Sequence, residues 1–135
     1  MTTYRSLTLT ISIERPWQEV YDFVIDPANM SQWAAGLGNG FDGEGLEWTA
    51  RDPGGNPVRI RFVERNALGV FDHDVFVGDR VVHVPLRVMP NGTGAEVTFL
   101  LLQTPDLAKE EDFERDAAAV RKDLQTLKDV LERRN

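Results

Sequence analysis

The chain has 135 residues and a mass of 15.2 kDa, with 41% hydrophobic and 27% charged residues, which is the make-up of one folded domain spanning 1–135. That balance excludes a disordered chain, and the absence of cysteine excludes disulfides, thiolate metal sites and thiol nucleophiles. Lys+Arg 15 against Asp+Glu 22 leaves a net charge of −7, which argues against a nucleic-acid-binding surface and against attraction to an anionic membrane.

No apolar run approaches the roughly 20 residues of a membrane span, so integral membrane contact is not expected. The opening residues Met1-Thr-Thr-Tyr-Arg-Ser6 lack the apolar stretch of a signal peptide, and a cytoplasmic location is the expectation. Asn91-Gly92-Thr93 then reads as a turn and not a glycosylation acceptor.

The first periodic segment alternates Leu7, Leu9, Ile11 and Ile13 with hydroxyl residues, the pattern of a half-buried strand. Arg15-Pro16 ends it. Trp17, Val20, Tyr21 and Val24 then recur at helical spacing, and Asp26-Pro27 supplies the cap and first position of a second short helix that turns Met30 and Trp33 inward. Residues 36–45 hold five glycines but neither a dinucleotide-binding spacing nor a Walker lysine, so a mobile surface loop is expected there.

From Leu46 to Gln103 the chain reads as an antiparallel meander, with turns at Asp52–Asn56, Gly78-Asp79 and Pro90–Gly94. With the opening strand this makes about six strands. The tail changes period again. Phe113, Ala117, Val120, Leu124, Leu127 and Leu131 form one apolar stripe on a helix of about 25 residues, and its charged positions read as a solvated face.

The order of strand, two short helices, meander and long final helix resembles the helix-grip fold of the START-like or SRPBCC superfamily. The residues that carry the resemblance are Ile13-Glu-Arg-Pro-Trp-Gln-Glu-Val-Tyr-Asp-Phe-Val24, Asp26-Pro27 and Trp33. Asp72-His73, Pro85-Leu-Arg-Val88, Asn91-Gly92, Asp116 and Asp123-Leu124 are similar to a bacterial, polyketide cyclase-like branch. The resemblance implies an α+β fold, a curved antiparallel sheet wrapped on the long C-terminal helix around an apolar cavity. It implies binding of a lipid-like, aromatic or polyketide-like molecule, or cyclase or dehydratase chemistry, or a chaperone-activating interaction module. It transfers no catalytic residue and no cofactor, because the fold hosts many activities.

Strand parity selects the residues expected to line that cavity. They are Trp48, Phe62, Phe71, His73, Val84, Leu86, Phe99 and Leu101 from the strands, with Val120 and Leu124 from the helix. His73 is the one polar side chain among them. It is either a satisfied core histidine, or the group that binds a ligand hydroxyl or carbonyl, or a general acid/base. Parity sends Asp72, Asp74, Arg59, Arg61, His83 and Arg87 to the opposite face as an ion-pair ladder. A bulge at Pro85 would reverse this and bring Arg87 into the cavity as a second catalytic candidate. His73 and His83 fall on opposite faces and make no metal site, and no serine lies in a nucleophile elbow. The sequence leaves the oligomeric state and any protein partner open.

Overall fold

The computed structural model describes residues 2–35, 39–52 and 54–134. Strand β1 (Ser6–Ile13) leads into helix α1 (Trp17–Val24) and a 3-10 turn at Pro27–Gln32. The strands β2 (Asn39–Glu44), β3 (Glu47–Arg51), β4 (Pro57–Phe62), β5 (His73–Val77), β6 (Arg80–Val84), β7 (Leu86–Asn91) and β8 (Gly94–Leu102) follow. Helix α2 (Glu110–Glu132) closes the chain.

All strand pairs are antiparallel. One sheet runs β1-β8-β7, and the other runs β2-β3-β4-β5-β6. The two meet where Gly69–Phe71 lies against β7, through Val88 N–H to Gly69 O and Phe71 N–H to Leu86 O, both 2.8 Å. Gly69 has φ +74°, and a Cβ there would stand 1.9 Å from the Val88 carbonyl oxygen, so the approach requires glycine.

Pro85 separates β6 from β7. It has no N–H to give, but its carbonyl accepts from Leu100 N–H at 3.2 Å. Beyond that bond β6 leaves β8, and among the described residues no further backbone bond joins them. The result is a seam in the sheet between β6 and the far half of β8.

Two expectations change here. The glycine-rich segment is not all loop. Asn39–Glu44 forms β2 on β3, while residues 36–38 lie outside the described residues. Gly43 permits the pairing, because a Cβ there would sit 2.5 Å from the Glu47 carbonyl oxygen. Among the described residues there are eight strands against the expected six or so, because β2 is added and Pro85 divides the expected strand Val81–Met89 in two.

The helix stripe packs as its spacing predicts. Phe113, Ala117, Leu124, Leu127 and Leu131 are buried, and only Val120 is half-buried. The carboxylates Glu110, Glu111 and Asp112 occupy the first turn, where the helix dipole favours them. At the other end the Arg15 guanidinium donates to the carbonyls of Leu131 (3.1 Å) and Glu132 (3.3 Å), satisfying C-terminal groups that lack helical partners. Lys128 Nζ donates to Ser12 O at 2.8 Å, which fixes the same end of α2 to β1.

Candidate functional site

A cavity of about 270 Å³ lies between α2 and the sheet. Met30, Trp33 and Ala34 form one wall, His73, Val75, Val82, Val84, Leu86 and Phe99 the sheet side, and Asp116, Val120, Asp123 and Leu124 the helix side. It shares Val82, Val84, Phe99, Asp116 and Val120 with an outer mouth of about 720 Å³ that follows the seam between β6 and β8. Leu101 lines that mouth, and Arg80 and Asp106 stand at its rim in a 2.7 Å ion pair.

Local structure accounts for each wall. Asp26 Oδ1 accepts from Ala28 N–H at 3.1 Å and starts the 3-10 turn, with Pro27 in its first position. One turn later Met30 and Trp33 are buried. Asp123 Oδ1 accepts from Ala35 N–H at 3.2 Å, tying the end of this wall to α2. The Trp33 Nε1–H is buried in the wall, without a partner among the described residues.

His73 is 5% exposed and packs against the rings of Phe71 (5.1 Å) and Phe62 (5.6 Å). Its Nδ1 lies 3.0 Å from Phe71 O. A carbonyl only accepts, so Nδ1 carries the proton and Nε2 keeps its lone pair. Among the described residues Nε2 has no protein partner. Burial lowers the His73 pKa, and the Phe71 bond and the nearby Asp72 and Asp74 oppose this only in part, so the ring is held neutral.

The two helix carboxylates are shifted the other way. Asp123 is half-buried, and desolvation raises its pKa against the Ala35 bond and Lys122. Asp116 stands at the mouth and keeps contact with solvent, yet the surrounding protein raises its pKa, with the charges of Asp106 and Asp112 adding to the effect.

On the outer face Asp72 works in reverse. Burial opposes its charge, but bonds from the Arg87 guanidinium and the Leu86 N–H hold its carboxyl below the usual range. His83 Nδ1 sits 2.6 Å from Asp74 Oδ1, and Arg61 lies opposite Asp74 across the β4–β5 pair.

The chain matches the family described as polyketide cyclase/dehydrase and lipid transport over residues 4–132. It belongs to that family. Similar solved structures include an uncharacterised protein from Bacillus thuringiensis, at 11% identity and TM-score 0.75 over 93% of this chain and 98% of that one. A protein from Mesorhizobium loti aligns at 12% identity and TM-score 0.74, covering 97% and 99% of the two chains. DynU16, a protein of the dynemicin biosynthetic locus, aligns at 17% identity and TM-score 0.71 over 94% of this chain and 47% of its own. These likenesses show a shared fold. No protein of curated function matches the sequence.

Within this polyketide cyclase/dehydrase frame, the cavity gathers six of the expected residues, His73, Val84, Leu86, Phe99, Val120 and Leu124, and Leu101 stands at its mouth. Trp48, Phe62 and Phe71 are not brought to it. Phe62 and Phe71 stack on each other at 5.5 Å behind His73 as solid core, and Trp48 stacks on Phe41 at 4.9 Å near the far edge of the sheet. Arg87 does not enter either. Parity passes through Pro85 unchanged, with Val84, Leu86 and Val88 all buried, so Arg87 points outward to Asp72 at 3.1 Å. Pro85 interrupts the strand without inserting the extra residue a parity reversal needs.

Sequence reasoning missed Asp116 and Asp123, reading the polar positions of α2 as solvated. The available signal was their spacing. Asp116, Val120 and Asp123 fall at i, i+4 and i+7, which places them along one side of the helix. Among the described residues no group of His, Asp and Glu is arranged to hold a metal ion, and no helix is long and apolar enough to cross a membrane.

Proposed function

We propose that this chain binds a small hydrophobic molecule between α2 and the sheet, admitted along the seam between β6 and β8. The observation that carries the reading is the cavity itself, about 270 Å³ of mainly apolar space joined to a mouth of about 720 Å³. Small-molecule sites are concave, mostly apolar and of roughly 300–1,000 Å³, with a few polar groups for orientation. A closed core void under about 100 Å³ would instead favour an interaction module. The polar groups here are His73, Asp116 and Asp123. His73, Val84, Leu86, Phe99, Val120 and Leu124 would contact the ligand, and Leu101 would guide it in.

Catalysis at His73 is a second reading, and its free Nε2 favours it. A neutral imidazole with its lone pair toward a ligand can accept a proton, the role a cyclisation or dehydration requires of a base. Arg87, turned outward, has no part in it.

Native mass spectrometry of freshly purified protein tests the binding reading. A discrete added mass of small-molecule size, released on denaturation, is the expected result. Only the bare mass, together with no uptake of added neutral aromatic or lipid-like molecules, would overturn it.

A further inference from the structure

The polar atoms offered to the cavity share one property. His73 Nε2 is a lone pair without a protein partner among the described residues, on a side chain that is only 5% exposed. Asp123 has one carboxylate oxygen bonded to Ala35 N–H, and among the described residues no bond is made to the other. Asp116 makes no side-chain bond to the described residues. All three are acceptors at neutral pH. Neither side-chain N–H of the described lining is offered to the space: His73 Nδ1–H is taken by Phe71 O, and Trp33 Nε1–H is buried.

No arginine or lysine lines the deep cavity among the described residues. The cations nearby are already engaged or face solvent. Arg80 is paired with Asp106 at the rim, Arg115 donates to Asp112 at 3.1 Å, and Lys122 is exposed. His83 is held on the outer face by Asp74.

From this acceptor-only lining we infer that the ligand is an apolar, ring-sized amine whose ammonium enters the space lined by Asp123 and His73 Nε2, with Asp116 at its mouth two helical turns away. The inference rests on the cavity-binding reading and adds the sign of the ligand's charge. An ammonium brings only donors to a lining of acceptors, and its charge is attracted by two carboxylates that have no countercharge among the described residues lining the cavity. A hydroxyl supplies one donor and no charge. A carboxylate supplies neither, and would be desolvated beside two like charges. Both aspartates are disfavoured as anions in the empty cavity, and a cation would relieve that.

The test uses one ring with three polar ends: 1-naphthylmethylamine, 1-naphthylmethanol and 1-naphthoate, titrated calorimetrically into the full chain at neutral pH. The amine should bind about tenfold more tightly than the alcohol, and the carboxylate about tenfold more weakly than the alcohol or not at all, one decade for each change of polar end. Asp116→Asn with Asp123→Asn should reduce the amine's advantage over the alcohol to about twofold or less. Glu114→Gln, on the exposed side of the helix, should leave it unchanged. Naphthoate binding as tightly as the amine, or an amine preference that survives the double substitution, would overturn the inference while leaving the cavity reading intact. Failure of all three to bind would overturn both. Each single Asp→Asn variant, measured in the same way, keeps the test decisive if the double variant does not fold.

Discussion

The Nδ1 of His73 lies 3.0 Å from the carbonyl oxygen of Phe71, two residues back on the same chain. That bond fixes the tautomer. It is made to backbone and not to a carboxylate, so the neighbouring Asp72 and Asp74 act on the ring only through space, while their own bonds go to Arg87 and His83. A neutral, oriented acceptor is thereby held in an apolar wall.

The protonation of His73 should track this environment. Its pKa is depressed by burial, so the folded chain binds the proton less well than the unfolded chain does. Stability is therefore fully present above the ordinary histidine value of about 6.5 and declines as pH falls below it. Nitrogen NMR should show the Nδ1–H tautomer persisting below that value. Urea titrations between about pH 7 and 5.5 should show a loss of stability that is smaller in His73→Phe. An imidazole that titrates at the ordinary value would contradict the placement.

The aspartates carry the opposite sign. Asp116 and Asp123 have raised pKa values in the fold, so their contribution is fully present below the ordinary carboxylate range and is lost as pH rises through their folded values. Asp123→Asn keeps an oxygen for the Ala35 N–H and removes the buried charge. In the absence of ligand this variant should gain stability relative to the parent at pH 7 and show little difference near pH 3, measured by urea denaturation. A loss at pH 7 would mean that the charge is compensated.

Leu127 is fully buried on α2 and does not line the cavity. Leu127→Ala should cost about 2–5 kcal/mol, the range for a large-to-small change in packed core. A loss under about 0.5 kcal/mol would place it with ordinary surface substitutions and show that α2 is not docked as described.

Gly69 combines φ +74° with a backbone approach so close that a Cβ would stand 1.9 Å from Val88 O. Gly69→Ala should therefore break the junction between the two sheets and cost at least about 2 kcal/mol, combining strain with displaced backbone bonds. Faster amide exchange at Phe71 and Val88 would report the same event. Unchanged stability and exchange would contradict the junction.

Much of the fold was legible because period alone carries it. The 2-residue alternation of β1 and β4 and the 3- and 4-residue spacing from Phe113 to Leu131 leave few alternatives, and parity placed His73 inward and Arg87 outward. The glycine-rich β2 was not legible, since Gly43 enters a strand only because Trp48 and the Glu47 carbonyl approach too closely for a side chain. Parity names a face and not a depth. It could not separate Phe62 and Phe71, stacked in solid core, from Phe99, which borders open space. The seam depends on where β6 leaves β8 after Pro85, a relation between distant segments. Asp116 and Asp123 were hidden because charge on a helix ordinarily marks its solvated side.

Val120 is the stripe position that borders both the cavity and its mouth, and filling it tests the central claim most directly. Val120→Trp should occupy the space from the helix side while the chain still unfolds cooperatively in urea. Titrated with the neutral dye Nile red, the parent chain should bind with blue-shifted, enhanced emission, and Val120→Trp should bind at least about tenfold more weakly, a difference of about 1.4 kcal/mol. Equal binding by the two folded proteins would place the ligand elsewhere and contradict the account.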